Sequence, residues 1–284
     1  MSTNPNSEKS VLITGCSSGI GRATALYLAK NGFTVFASVR KDADFEKLRQ
    51  LKEPNLIPVY PLDLTRPGDI PSVMETIQAE LQRRGQSGLY ALINNAGNGM
   101  LAPVEMMDVD VFQSVLQTRL VGPVALVQAC LPLLRQGGGR ILWIMTPALL
   151  PIQYVAAIHA CDFAANCIAR TLDIELDSWH IPVIQIRCGG IDTANSPMTT
   201  AGIESILQHP RGDLYRNAML KWAKGISEFD QKRTPPEKVG QVVMAVLNAR
   251  SPKRYYSVGH MAGMAAMLEL LPQALTDRIL KNRS

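Results

Sequence analysis

What most limits the fold of this chain is an alternation of short apolar runs with stretches of helical spacing. Residues 10–14 (SVLIT) form a compact apolar run that ends in a glycine-rich turn, and residues 21–31 follow with helical periodicity. Runs at 33–39 (FTVFASV), 55–60 (NLIPVY), 90–93, 140–145 and 182–187 repeat the theme, with helical segments at 71–84, 108–136 and 156–177 between them. A parallel neighbour can be reached only by a crossover, so this alternation means βαβ units. The expected fold class is α/β, a doubly wound parallel sheet with helices on both faces. A helix over 235–248 and a strand at 254–258 complete it.

Composition narrows the class further. The 284 residues are 46% hydrophobic and 19% charged, which fits one filled globular core and excludes collagen-like, mucin-like and disulfide-scaffold proteins. No linker or repeat divides the chain, so residues 1–284 read as a single domain. Within it, residues 1–9 read as a flexible N-terminus and 192–234 as a substrate lid. Residues 261–284 read as a C-terminal helical extension whose Met/Leu/Ala face packs on the body or on a partner subunit. The formal charge is +5, and residues 211–284 hold 13 Lys/Arg against 6 Asp/Glu. That excess is scattered rather than clustered and aromatics are 6%, so no nucleic-acid partner is expected, while an anionic ligand stays open.

Five cysteines, Cys16, Cys130, Cys161, Cys167 and Cys188, form no CxxC pair and read as buried free thiols in a reducing compartment. The first ten residues show no signal-peptide core. Residues 141–161 lack charge and are long enough to span a bilayer. Pro147, Pro151, Gln153 and His159 instead divide them into a strand, a loop and a helix start. The expectation is a cytoplasmic protein with no membrane span and no metal site.

After the first strand the chain reads Thr14-Gly15-Cys16-Ser17-Ser18-Gly19-Ile20-Gly21 and then turns helical. Glycines so spaced permit a tight turn and let backbone N–H groups approach a pyrophosphate at a helix N-terminus. The second strand ends Val39-Arg40-Lys41. An NAD site usually has an acidic residue there for the ribose 2′-hydroxyl, whereas two cations suit a 2′-phosphate. The cofactor read from this end is NADP(H).

TGCSSGIG, the Asp63-Leu64 pair after the third strand and Asn94-Asn95-Ala96-Gly97 after the fourth together resemble the short-chain dehydrogenase/reductase family, over about residues 9–260. The resemblance implies a Rossmann-type domain. It implies that Asp63 and Leu64 lie by the adenine and that Asn95, Ala96 and Gly97 line the cofactor cleft. Cys188-Gly189-Gly190-Ile191-Asp192-Thr193 is similar to the family's PGxxxT turn, with Cys188 in place of proline, which puts Ile191 and Thr193 by the nicotinamide carboxamide. It also implies a homodimer or homotetramer, formed through the helices near 108–136 and 156–177. The small side chains of Ala156, Ala157, Ala160, Ala164 and Ala165 permit close helix contact there.

The family's catalytic tetrad of Asn, Ser, Tyr and Lys is not present. The phrase that resembles Y-x-x-x-K-F-A reads Ile158-His159-Ala160-Cys161-Asp162-Phe163-Ala164, so tyrosine falls on Ile158 and lysine on Asp162. The asparagine falls on Arg119, and the serine on Thr146, or on Met145 in a loop one residue longer. Isoleucine has no proton to give, and losing a positioned general acid costs roughly 10²–10⁴-fold in rate. A carboxylate at the lysine position raises, rather than lowers, the pKa of a nearby phenol. Tyr154, one turn before Ile158 if that turn is helical, is a candidate substitute, with packing at the loop–helix junction as its plainer reading, and an Asp162–Arg119 ion pair is a plainer account of both charges. His159 is expected on the surface or at an interface.

Three functions follow. The first is an atypical NADP(H)-dependent reductase of a small organic substrate with a cationic C=N group, which needs no proton relay, with Asp162, Arg119, Thr146 and Tyr154 in its site. The second is a non-redox cyclase or isomerase using Asp162 and Arg119 as base and anion partner. The third is a catalytically silent scaffold. Met198 and Leu207 of the lid, with Met145 and Leu149, would give an apolar substrate wall.

Overall fold

The computed structural model describes residues 6–193 and 200–281. Among them, seven strands form one parallel sheet: β1 (Ser10–Ile13), β2 (Thr34–Ser38), β3 (Leu56–Val59), β4 (Ala91–Asn94), β5 (Arg140–Met145), β6 (Val183–Cys188) and β7 (Tyr255–Val258). Their order is β3-β2-β1-β4-β5-β6-β7, every neighbour parallel. The winding reverses between β1 and β4, where a doubly wound sheet opens its ligand crevice. The strands are nearly uniform apolar runs because both faces are covered.

Alternate side chains of each strand feed two cores. On one face, Val11, Ile13, Val35, Ala37, Ile93 and Ile186 pack under α1 (Gly19–Lys30), α2 (Asp42–Arg49) and, later in the chain, the helix Glu237–Asn248. On the other, Leu12, Phe36, Leu92 and Trp143 meet α3 (Ile70–Arg83), then the long helical run Val109–Gln136, then the helix Ala156–Glu175. That long run has three parts, α4 (Val109–Leu116), a π-helical segment Gln117–Val121 and α5 (Gly122–Gln136). Asp108 starts it as an N-cap, its Oδ1 accepting from the N–H groups of Asp110 and Val111 at 2.9 and 3.1 Å. The run is long and apolar enough to cross a membrane, but Leu126, Val127, Cys130, Leu133 and Leu134 on its inner side belong to the sheet core.

The remaining helices are α6 (Ala156–Glu175), α7 (Thr200–Gln208), α8 (Gly212–Asp230), α9 (Glu237–Asn248), α10 (Ala262–Leu268) and α11 (Gln273–Lys281). Several expectations change here. The segment 192–234, read as a substrate lid, carries α7 and α8, with Met198 outside the described residues. Residues 6–9 are not loose: Asn6 is buried and donates to the Asn31 carbonyl at 3.1 Å. Four cysteines are buried, yet Cys167 is exposed. Of the α6 alanines, Ala157 and Ala165 are consumed inside the chain. Met145 is buried in the sheet core and Leu149 packs against it half-buried. The outer face of α10 and α11 does not pack on the body, since Met264, Met267, Leu270, Leu271 and Leu275 are exposed.

One anchor nevertheless ties this C-terminal segment down. Glu269 Oε2 accepts from Arg187 Nη1 at 2.6 Å and from the Leu149 N–H at 3.2 Å. Arg187, 7% exposed, also lies over the Tyr255 ring, 4.3 Å from its centroid. Removing the carboxylate strands a buried guanidinium, so Glu269→Ala is expected to destabilise the fold by roughly 3 kcal/mol, read as a lower urea midpoint at unchanged slope.

Candidate functional site

The site is assembled at the C-terminal ends of the central strands. Thr14, just past β1, is its hub: its Oγ1 accepts from the backbone N–H groups of Asn95 and Ala96, both at 2.9 Å. The Asn95 side chain returns the link, donating to the carbonyls of Thr14 at 2.8 Å and Gly15 at 3.3 Å. The glycine-rich turn and the NNAG turn are thereby clamped together across the crevice. The sequence motifs point to Asn95 and Ala96 but not to a role for Thr14, although Thr14 is the first letter of the glycine motif.

The glycines are sterically required. Gly15 has φ +72°, and a Cβ there would lie 2.9 Å from Ala96 Cα. At Gly21 a Cβ would meet the Gly15 carbonyl oxygen at 2.3 Å and Asn95 Nδ2 at 2.4 Å. Gly19 (φ +55°) faces Thr193, whose Cγ2 would be 3.2 Å from an added Cβ, so the turn after β6 reaches the glycine loop. Helix α1 has no acidic residue in its first turn, leaving its positive end suited to a pyrophosphate. Ser17 is exposed and Ser18 and Ile20 are half-buried around the same turn.

At the neighbouring strand ends, Arg40 and Lys41 are exposed and Asp63 is half-buried. Burial pushes the Asp63 carboxyl up, but the N–H and hydroxyl of Thr65 and the charges of Arg40 and Arg66 outweigh it and hold its pKa below the usual range. Arg40 thus stands close enough to Asp63 for their charges to interact. Leu64 and Ile191 play different parts: Leu64 is buried against Gly122, and Ile191 is buried against Gly259. Their side chains are packing elements of the cleft walls.

The chemical end centres on a buried ion pair. Asp162, on α6 and 3% exposed, accepts at Oδ1 from Arg119 Nη2 at 2.9 Å and at Oδ2 from the Thr146 N–H at 2.8 Å. Arg119 comes from the π-helical segment, and its Nη1 reaches the Asn98 carbonyl at 3.5 Å. A Cβ on Gly97 would lie 2.5 Å from that Nη1, so the guanidinium lies directly against the NNAG turn. The Thr146 hydroxyl and Arg119 Nε are buried with no hydrogen-bond partner among the described residues. Arg119, Thr146 and Asp162 are therefore brought together as the sequence implied.

Tyr154 packs at the junction of the loop and α6, the plainer of its two readings, and His159 does not lie on the open surface. Helix α6 begins at Ala156, and Tyr154 has φ +67°, so it is not one helical turn before Ile158. Its ring packs edge-on against Trp222 (5.5 Å between centroids) and Tyr215 (6.5 Å) of α8. Burial raises the Tyr154 pKa, the reverse of what a proton relay needs. Ile158 is 8% exposed in the same apolar cluster, with Leu101, Val155, Ile203, Ile206 and Met219. Tyr215 also donates to Glu105 Oε1, and Arg211 lies 3.6 Å from Glu105 Oε2, which fastens α8 to the loop after β4. None of these lid contacts has a local sequence signature. His159 is half-buried rather than exposed; burial is the main cause that lowers its pKa, and the Asp162 charge works against it.

With this geometry in place, the family described as short chain dehydrogenase matches residues 9–203. The chain belongs to that family, and its sheet is the Rossmann-type fold of NAD(P)-binding oxidoreductases. It is 31% identical over 300 residues to human 11-beta-hydroxysteroid dehydrogenase type 2, covering 98% of this chain and 71% of that one. It is 29% identical to mouse estradiol 17-beta-dehydrogenase 2 over 98% of this chain and 75% of the relative, and 27% identical to mouse retinol dehydrogenase 5 over 97% and 89%. Among solved structures, a Streptomyces avermitilis short-chain dehydrogenase superposes with a TM-score of 0.75 at 21% identity, covering 96% and 95% of the two chains. A Burkholderia cenocepacia short-chain dehydrogenase in complex with NADP gives 0.71 at 21% identity over 96% and 97%.

Two outcomes follow. In Gly21→Ala the added methyl collides with the Gly15 carbonyl, so affinity for a nicotinamide dinucleotide, measured by calorimetric titration, should fall about tenfold or more, roughly 1.4 kcal/mol. For His159, the unfolded chain takes up a proton near pH 6.5 while the folded one resists it. Stability is then full above that pH and declines as pH falls toward the lowered folded value. Thermal melts across this range should show the decline, and His159→Asn should flatten it.

Proposed function

We propose that this chain binds NADP(H) and transfers hydride to an apolar substrate through a cationic C=N carbon, with no proton supplied by a protein side chain. The carrying observation is the Arg119–Asp162 pair, with Ile158 one turn before Asp162 on the same helix and no YxxxK spacing anywhere in the sequence. A ketone reduced to an alcohol must gain a proton at oxygen. An iminium reduced to an amine gains only hydride and becomes neutral, so the missing relay is no obstacle.

The residues fit the dinucleotide. Gly15, Ser17, Ser18, Gly19, Ile20 and Gly21 would hold the pyrophosphate at the start of α1, and Arg40 and Lys41 the 2′-phosphate. Asp63 and Leu64 would flank the adenine; Asn95, Ala96, Gly97, Ile191 and Thr193 would border the nicotinamide half. When bound, NADPH supplies the hydride. In this reading the Asp162 carboxylate, held by Arg119 and the Thr146 N–H, would supply the negative charge of the site, and the unpartnered Thr146 hydroxyl would orient the substrate. Relatives named for steroids and retinol support a bulky apolar substrate, and the Ile158–Tyr154–Trp222 cluster supplies a matching surface. A homodimer through α4, α5 and α6 is supported by exposed Val109, Val111, Val121, Phe163 and Ile174.

A second reading, a silent cofactor-binding scaffold, is favoured by one observation: Ile158 and Tyr154 already fill the space beneath α7 and α8. A single assay separates the two. NADPH oxidation is followed at 340 nm (the ordinary absorbance of the reduced nicotinamide) with preformed cyclic iminium ions and, in parallel, with steroid and retinoid carbonyls. Turnover of iminium ions with carbonyl rates lower by about 10²-fold or more is expected. NADPH binding without turnover of either class would favour the scaffold, and brisk carbonyl reduction would overturn the proposal.

A further inference from the structure

Helices α10 and α11 present an apolar surface that nothing among the described residues covers. Met267 is 71% and Leu270 84% exposed, with Met264, Leu271 and Leu275 beside them in sequence and also exposed. Soluble domains rarely leave so many large apolar side chains in one short stretch without a use for them. Between residues 261 and 276 the sequence has a single charged residue, Glu269. That carboxylate is turned inward onto Arg187 and the Leu149 N–H, so it adds no negative charge to the outer surface.

Positive charge follows within α11. Arg278 and Lys281 of α11, with Ala274 and Asp277, line a shallow hollow of about 400 Å³. The last quarter of the sequence, residues 211–284, holds 13 Lys/Arg against 6 Asp/Glu, while the rest of the chain is slightly acidic. Apolar side chains bordered by cations match an interfacial layer of acyl chains under anionic headgroups. A second copy of the chain has a different face available, the exposed apolar residues of α4, the π segment and α6.

The seat of α10 is rigid and lies at the rim of the candidate site. Ala262 is buried against the turn after β6, where a Cβ on Gly189 would fall 2.9 Å from the Ala262 nitrogen and 2.1 Å from the His260 carbonyl oxygen. The same turn continues to Ile191 and Thr193.

We infer that α10 and α11 dock the protein on an anionic lipid surface, with Met264, Met267, Leu270 and Leu271 entering the acyl boundary and Arg278 and Lys281 meeting headgroup phosphates. Docked so, the β6-turn side of the site lies next to the phase into which an apolar substrate partitions. The docking itself is independent of the hydride chemistry and is measured without turnover.

The test is co-sedimentation of the full chain with vesicles of phosphatidylcholine alone or of equal parts phosphatidylcholine and phosphatidylserine. The protein is expected to pellet with the anionic vesicles. Met267→Glu/Leu270→Glu, at exposed positions that leave circular dichroism unchanged, should weaken partition about tenfold or more, and Arg278→Gln/Lys281→Gln should weaken it on anionic vesicles alone. Wild-type protein left in the supernatant with both vesicle types would overturn the inference. So would undiminished partition of the Met267→Glu/Leu270→Glu variant. Light scattering on the same samples distinguishes the remaining occupant: if those two substitutions split an oligomer into monomers and wild type ignores vesicles, the inference fails and the face belongs to a second copy.

Discussion

The buried contact between Arg119 and Asp162 organises everything at the chemical end of this molecule. Two opposite charges inside a protein recover their lost hydration only when geometry is good and their remaining polar atoms are met. Here the carboxylate uses one oxygen for the guanidinium and the other for the Thr146 N–H, joining the π-helical segment, α6 and the loop after β5. The guanidinium in turn rests on Gly97, so the same contact sets one wall of the cofactor crevice. What looks in the sequence like a damaged relay is a knot between three elements and the NNAG turn. Its members cannot be exchanged one at a time.

Much of this is legible in the sequence because it rests on local rules. Apolar runs of four to six residues between helical stretches dictate a parallel sheet, and the glycines of the first turn are needed for backbone reasons that no tertiary context alters. The Arg119–Asp162 pair is readable because Phe163-Ala164 fixes the register of α6, and two unlike charges facing one cleft attract. What escapes is set by context. Tyr154 has the spacing of a helix residue, but the chain takes a left-handed step there and the helix starts two residues later. Residues 192–234 look irregular because the polar outer faces of α7 and α8 hide a thin apolar seam closed by residues distant in sequence, Leu101, Tyr154, Val155 and Ile158 among them.

The C-terminal segment illustrates the same limit from the other side. Its Met/Leu/Ala density suggests a packing face, which is what density ordinarily means inside a domain. The structure buries Ala262 and Thr276 and turns Glu269 onto Arg187, while Met264, Met267 and Leu270 stay exposed. Hydrophobic content argues for burial without naming the partner, and the tertiary fold leaves that partner outside the described residues.

The widened helical turn at Gln117–Val121 has a cause in the sequence and a lasting effect. Pro123 lacks the N–H that would bond the Arg119 carbonyl, and the Thr118 hydroxyl bonds back to the Ser114 carbonyl at 2.8 Å. The ladder relaxes there by one residue, which resets the phase of the helix. In an unbroken α-helix each residue advances by about 100°. Forcing this turn into regular α geometry with its residue count unchanged would therefore swing the upstream stretch by about that angle relative to α5 and carry Arg119 away from α6. The arginine's aim is a matter of helical phase, held by a single widened turn.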